Sequence, residues 1–126
     1  MRRMRICEEL GSGIDKAILA VEMAQLPAPE FLDMERHTKA ILFSYIDFKD
    51  LSKSDRVRCC YQHCCLKFVS NDKMTNKSFR ERFRIDPRNS AMVSRVIEQT
   101  IQAGLIKNDD DENSSKKFAK YIPSWA

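Results

Sequence analysis

Apolar and polar positions follow the clearest helical pattern between residues 75 and 107. Thr75 is a good helix N-cap, and Met74 before it with Phe79 inside the helix forms the apolar staple that fixes a helix start. This short helix is expected to end near Phe83. The next three residues are too few to form a structured loop, so they predict the tight turn between two crossed helices.

A second helix is predicted at residues 87–103. Asp86 supplies its N-cap, and Pro87 takes the first helical position, where a missing N–H costs nothing. Gly104 follows the helix and is expected to end it. Apolar positions at helical spacing predict one buried face, formed by Val93, Val96, Ile97, Thr100 and Ile101. The opposite face carries Arg88, Ala91, Arg95, Glu98, Gln99 and Gln102, side chains typical of a recognition helix in the DNA major groove.

A β-hairpin is predicted after this helix. Residues 105–107 are expected to form one strand, 108–115 a polar loop, and 117–122 the returning strand. With an earlier helix that ends near Ser70, these elements predict a winged helix-turn-helix, that is, three helices plus a β-hairpin wing. Residues 109–112 in the loop are all acidic, whereas a wing tip resting on phosphates would be basic. The tip is therefore expected to stay clear of DNA or to face a protein partner.

The earlier helix, capped by Ser52 or Ser54, contains a segment rich in zinc-ligand types at residues 59–65. On a helix, Cys60 and Cys64 point into the predicted core, whereas Cys59 and His63 point about 100° or more away. Four ligands therefore cannot meet on one metal. Buried cysteine behaves as a small apolar residue, so no metal or other cofactor is predicted.

No catalytic set emerges from the histidines. Neither His37 nor His63 has a serine or an acidic residue at a recognisable spacing. The chain is therefore expected not to be an enzyme.

The first 48 residues predict the end of a different domain. A helix follows Gly13, with Ile14, Ala17, Ile18 and Val21 on one face, and two strands follow at residues 31–34 and 38–43. One helix and a short hairpin bury little surface alone, so this part needs a partner to pack on. The predicted class is α+β: a helix-and-strand remnant of a preceding domain at 1–48, and a winged-helix domain at 49–126.

Positive charge is concentrated in the predicted helix-turn-helix. The chain has a net charge of +4, but Lys53 to Lys107 hold twelve Lys or Arg against five Asp or Glu. This balance favours a module that neutralises phosphates. There is no apolar run of membrane-spanning length and no apolar stretch of a signal peptide after the first methionines. The expected location is cytoplasmic, without membrane contact, and the cysteines are expected to be reduced.

These patterns predict a double-stranded DNA partner and a set of contact residues. The set is Asn76, Lys77, Arg80, Arg84, Arg88, Ala91, Ser94, Arg95, Lys116 and Lys117. The alternative is a winged helix used for protein contact or for dimerisation, which the acidic wing and the incomplete N-terminal part favour.

Parts of the sequence resemble the C-terminal region of bacterial proteins labelled ATP-dependent DNA helicase RecG-related. These parts are GSGIDKAI, LPAPEF, DRVRCCYQHCCLKFVSNDKMTNKSFRERF, and AGLIK with AKYIPSWA. These are predicted transcriptional regulators. The resemblance implies the end of a degenerate GHKL-ATPase-like domain followed by a winged helix, with Gly11 and Gly13 matching a glycine box and residues 14–43 the last helix and strands. The nucleotide-binding boxes that lie upstream in that family are not in this chain, and no helicase motif is present. The resemblance therefore implies a C-terminal fragment of a longer regulator, without a bound nucleotide.

Overall fold

The computed structural model describes residues 13–109 and 119–126. In these residues the fold is mixed α and β, with four α-helices and two small antiparallel sheets. The helices are α1 Gly13–Met23, α2 Lys53–Val69, α3 Asn76–Phe83 and α4 Ser90–Gln102. The strands are β1 Glu30–Met34, β2 His37–Ile41, β3 Ile106–Asn108 and β4 Tyr121–Pro123.

Helix α1 and the β1–β2 hairpin form the N-terminal part. The hairpin is present as expected, with a turn at residues 35 and 36 between its strands. The apolar face predicted for α1 is not buried: Ile14 and Ala17 are exposed, and Ile18 and Val21 are half-buried. The helix instead meets the rest of the chain through Glu22, close to its C-terminus.

Helix α2 begins after Ser52, whose side chain accepts a hydrogen bond from the Asp55 N–H. Cys60 and Cys64 are completely buried, as their positions predicted. Cys59 and His63, which lie on a different side of the helix, are buried as well, at only 2% and 3% exposed. A second layer covers that side of the helix.

This second layer is the segment at residues 22–29. The Ala28 N–H donates to Cys59 Sγ at 3.4 Å, and Arg58 Nε donates to the Ala28 carbonyl oxygen at 3.2 Å. Gln62 Nε2 donates to the Pro29 carbonyl oxygen at 2.6 Å. The N-terminal part is thus tied to α2 by hydrogen bonds, and the domain division at residue 48 stays a prediction.

Helix α3 starts as the sequence predicted. Thr75 and Ser78 form a reciprocal capping box, in which each side chain accepts from the other residue's backbone N–H. Met74 and Phe79 are both completely buried. Phe48 packs edge-on against Phe79 with ring centroids 5.7 Å apart, so the chain before α2 closes one side of this core.

The predicted helix 87–103 needs a correction at its start. Asp86 does accept from the Arg88 N–H and Pro87 does follow it, but residues 87–89 form a 3-10 turn, and the α-helix begins at Ser90. At the other end the prediction is confirmed, because Gly104 has φ of +75° and ends the helix. The predicted core face is also confirmed, with Val93, Val96, Ile97 and Thr100 buried and Ile101 half-buried.

Strands β3 and β4 form the second sheet. Ile106 pairs with Pro123 and Asn108 with Tyr121, so each strand ends one residue beyond its predicted limit. Both strands start later than predicted, since residues 105, 119 and 120 are not in a strand. Met74 also forms an antiparallel bridge with Tyr121, which places the segment before α3 beside β4. Most of the predicted wing loop, including the acidic residues 110–112, lies outside the described residues.

None of the helices in the described part of the chain has the length and apolar character needed to cross a membrane.

Candidate nucleic-acid interface

A groove of about 560 Å³ separates the first half of α3 from the start of α4, and β4 closes one end of it. The side chains around it are mainly polar or basic. They include Asn76, Lys77, Arg80, Ser90, Ser94 and Lys120.

Asn76 lines this groove and forms hydrogen bonds to both of its helices. Its Nδ2 group donates to the Ser90 carbonyl oxygen at 3.2 Å and to Ser94 Oγ at 3.0 Å. Its Oδ1 atom accepts from Arg80 Nε at 2.8 Å. Asn76 and Ser94, both predicted as DNA contacts, therefore bond to each other across the two helices.

Cationic side chains line the groove around Asn76. Arg80 is half-buried, and its terminal nitrogens have no hydrogen-bond partner among the described residues. Lys77 Nζ is 3.9 Å from Glu81 Oε1, but both side chains are exposed, and a surface pair of this kind is weak and easily exchanged. Lys77 and Arg80 can therefore bind an anion at this groove.

Arg84 borders a second, more open depression of about 630 Å³, which Lys77 and Arg80 also line. It ends α3 in the left-handed conformation, with φ of +52° and ψ of +41°. This conformation normally selects glycine, because a Cβ atom costs roughly 1–2 kcal/mol there. The chain therefore keeps an exposed arginine at a position where glycine would relieve strain.

Arg88 lies in the 3-10 turn and is paired with Asp86. Its Nη2 and Nε atoms lie 3.2 and 3.3 Å from the Asp86 carboxylate oxygens. Hydrogen bonds from the side chain and backbone of Arg88 lower the pKa of Asp86. The pair is exposed, so a phosphate or a base could replace the carboxylate at little cost.

The outer face of α4 is accessible as predicted. Ala91, Arg95, Glu98 and Gln102 are exposed, while Gln99 is half-buried. No ion pair or hydrogen bond holds the Arg95 side chain within the described residues. This face is free to approach a partner. The predicted contacts Lys116 and Lys117 lie outside the described residues.

The structure thus places the predicted residues in two neighbouring areas. Asn76, Lys77, Arg80 and Ser94 share the groove, with Arg84 and Arg88 around its edge near the turn, while Ala91 and Arg95 lie on the outer face of α4. The predicted set lacked Lys120, which borders the groove because β4 runs beside Met74. The sequence signal that could have identified Lys120 is its position near Lys116 and Lys117 in the predicted returning strand.

A buried polar cluster behind α3 gives His63 a serine and an acidic partner, both too distant in sequence for their spacing to indicate them. His63 Nδ1 lies 3.0 and 3.1 Å from the two Glu22 carboxylate oxygens, and Nε2 lies 3.2 Å from Ser78 Oγ. The order Ser–His–Glu is also that of a hydrolase triad. Here, however, Ser78 Oγ accepts from the Thr75 N–H at 3.0 Å within the capping box. With His63 buried as well, the contacts favour a structural role.

The described residues contain no group of three or more His, Cys, Asp or Glu side chains suited to a metal ion. Burial raises the pKa of the Cys59 thiol, and the same cause raises the pKa of Cys60 to about 12. These thiols are therefore poor ligands and poor nucleophiles. No family model, curated protein or solved structure matches this chain.

Proposed function

We propose that residues 49–126 form a winged helix that binds double-stranded DNA, with α4 in the major groove and α3 against the phosphate backbone. The observation that carries the proposal is the groove between α3 and α4, where Lys77, Arg80 and Lys120 converge beside the exposed face of α4. In a helix-turn-helix, the first helix crosses the backbone while the second contacts base edges. Basic side chains on α3 and accessible polar ones on α4 match this division.

The order of elements supports the winged-helix part of the proposal. A helix, a short extended segment at Met74, two helices that pack on each other and a β-hairpin follow one another along the chain. The bridge between Met74 and Tyr121 attaches the hairpin to the helical core. A wing anchored in this way would lie beside the groove, with Lys120 at its base.

The strained Arg84 is a second support. Residues in such strained conformations cluster at functional sites, although Gln25 and Asn71 also have positive φ in this chain. An exposed arginine next to a basic groove fits a phosphate contact. In line with the resemblance of its sequence, we place the chain at the output end of a bacterial transcriptional regulator.

A winged helix used for protein contact is the second candidate. It is favoured by the apolar side chains that α1 and its hairpin leave exposed, such as Met23 at 75% and Met34 at 43%. Such a surface suits a homodimer contact or a preceding ATPase-like domain. The two candidate functions can be distinguished because only DNA binding should depend strongly on salt and on the basic groove.

We expect the protein to bind duplex DNA with an affinity that falls steeply with salt. If Lys77, Arg80, Arg84 and one or two further lysines each neutralise a phosphate, the log–log slope should be about −3 to −5, at roughly 0.9 per phosphate. Fluorescence anisotropy with a labelled duplex over a salt series measures this slope. A slope near zero, or no binding at low salt, would favour the protein-contact candidate.

Arg84→Gly provides a matched variant for the same titration. Removing one phosphate contact should reduce the slope by about 1. Because glycine accepts the left-handed conformation without a Cβ penalty, this variant should be at least as stable to urea as the wild type. A loss of affinity that came with unfolding would not support a direct contact.

Arg95→Ala is expected to reduce sequence selectivity. Arg95 is exposed on the outer face of α4, and arginine can bind guanine O6 and N7 through two hydrogen bonds. Its loss should cost roughly 1–3 kcal/mol on a selected site and little on a random duplex. The measurement is the ratio of the two affinities, after a binding site has been selected from a random library.

Arg80→Ala is the control for selectivity. A phosphate contact has the same partner in every sequence, so this variant should weaken binding to both duplexes alike. An unchanged ratio for Arg95→Ala would mean that the recognition face of α4 has been assigned wrongly.

A further inference from the structure

Asn76 has almost no hydrogen-bonding capacity left for a ligand. An amide side chain has two donors and an oxygen acceptor. Both donors are used on α4, at the Ser90 carbonyl and at Ser94 Oγ, and the acceptor is used by Arg80. A contact of Asn76 with a phosphate would have to break one of the two donor bonds, because a phosphate needs a donor. Only the second lone pair of Oδ1 remains open, and it can accept but not donate.

The partners also fix which way the amide points. The Ser90 carbonyl oxygen can only accept, so Nδ2 must face it. Arg80 Nε can only donate, so Oδ1 must face Arg80. The two requirements agree, and Asn76 therefore holds Arg80 from one side while it is itself held by α4.

We infer that Asn76 is a positioning residue, which holds the Arg80 guanidinium ready for a phosphate and does not contact DNA itself. The inference rests on the proposed function, since it concerns how the same groove binds DNA. A free arginine side chain loses much rotamer freedom when it binds, and this loss opposes association. With Nε already bonded at 2.8 Å to Asn76, part of this order exists before DNA arrives. The terminal nitrogens remain available for two parallel bonds to a phosphate.

A double-mutant cycle in DNA affinity tests the coupling. The four proteins are the wild type, Asn76→Ala, Arg80→Ala and the double variant. We expect Asn76→Ala to weaken binding by roughly fivefold and Arg80→Ala by roughly tenfold, with the double variant within about twofold of Arg80→Ala. If the two losses multiply in the double variant, Asn76 acts independently of Arg80 and the inference is overturned.

Ser94→Ala separates the contact with α4 from the contact with Arg80. This variant removes one acceptor of Nδ2 and leaves Oδ1 bonded to Arg80. In the protein without DNA, this variant should therefore leave the Arg80 Nε–H proton protected from exchange with water, as followed by NMR. A loss of protection as large as in Asn76→Ala would show that Oδ1 alone does not hold Arg80, and would overturn the inference.

The Arg80 Nε–H signal in NMR provides a readout that does not depend on DNA. In the wild type without DNA, this proton should exchange with water more slowly than that of Arg95, which has no such acceptor among the described residues. In Asn76→Ala the two exchange rates should become similar. Equal rates in the wild type would disprove the positioning contact, whereas a protected signal in a protein that binds no DNA would disprove the proposed function alone.

Discussion

Glu22→Ala is expected to lower the free energy of unfolding by roughly 3–5 kcal/mol, the usual cost of removing one partner from a buried ion pair. The Glu22 carboxylate lies 3.3 Å from Arg82 Nε and 3.0 Å from His63 Nδ1. The Arg82 side chain is only 3% exposed. Without Glu22, its charge would remain buried without a counterion.

Arg82 has few other partners to compensate for the loss. Its Nη2 atom donates to the Leu26 carbonyl oxygen at 2.6 Å, while Nη1 has no hydrogen-bond partner among the described residues. Desolvation lowers the pKa of Arg82, and the charge of Glu22 opposes this change. The stability of α3 on α2 therefore depends on a residue of α1.

Urea unfolding at neutral pH, followed by the fluorescence of the single tryptophan, measures the effect. Lys16→Ala is the matched control, because Lys16 is exposed on the same helix and should change stability by less than about 0.5 kcal/mol. Adding Arg82→Met to Glu22→Ala should restore much of the loss, since no buried charge remains unpaired. A loss below about 1 kcal/mol in Glu22→Ala would mean that water reaches Arg82.

The start of α3, the end of α4 and the α4 core face were predictable because their signals are local. Thr75 and Ser78 cap the start of α3, and Gly104 ends α4. Each of these residues lies within one helical turn of the helix end that it determines. Val93 and Ile97 lie on the buried face that their spacing indicates. Each of these features depends on neighbours in sequence, so a single chain is enough to recognise it.

The burial of Cys59 and His63 could not be predicted in the same way. Helical geometry correctly separated them from Cys60 and Cys64, but whether their side of α2 is covered depends on Glu22 and Ala28, which are distant in sequence. Periodicity contains no information on which segment returns to pack on a half-polar face. A buried polar cluster is a tertiary feature of this kind.

In the candidate site, too, the features with local sequence signals were predictable and those that depend on distant residues were not. Lys77 and Arg80 were predictable from the basic face of a short helix, whereas the role of Asn76 depends on where Ser90 and Ser94 come to lie. The 3-10 turn before α4 was missed because Asp86 and Pro87 are compatible with the start of either kind of helix.

Cys60 is expected to make the fold lose stability in alkali. Desolvation raises the pKa of Cys60 from 9.0 to about 12, while a hydrogen bond with Thr100 opposes the shift and the neighbouring Cys59 adds to it. The unfolded chain therefore releases this proton near pH 9 and the folded chain does not. The stabilisation is fully present below pH 9 and is lost as pH rises towards 12, by about 1.4 kcal/mol per unit and about 4 kcal/mol over the window.

The difference in stability between the wild type and Cys60→Ala isolates this thiol. Other groups that titrate in alkali, such as Tyr61 and Tyr121, are present in both proteins and largely cancel. At about pH 8 the wild type should be the more stable protein, because alanine leaves a small cavity in the core. By about pH 10.5 the order should reverse, since only the wild type loses stability through this thiol. Urea unfolding under reducing conditions at several pH values measures the difference, with the half-buried Cys65→Ala as a control expected to show a smaller trend. A difference that stays constant over this range would mean that the Cys60 thiol is not shielded from water in the folded chain.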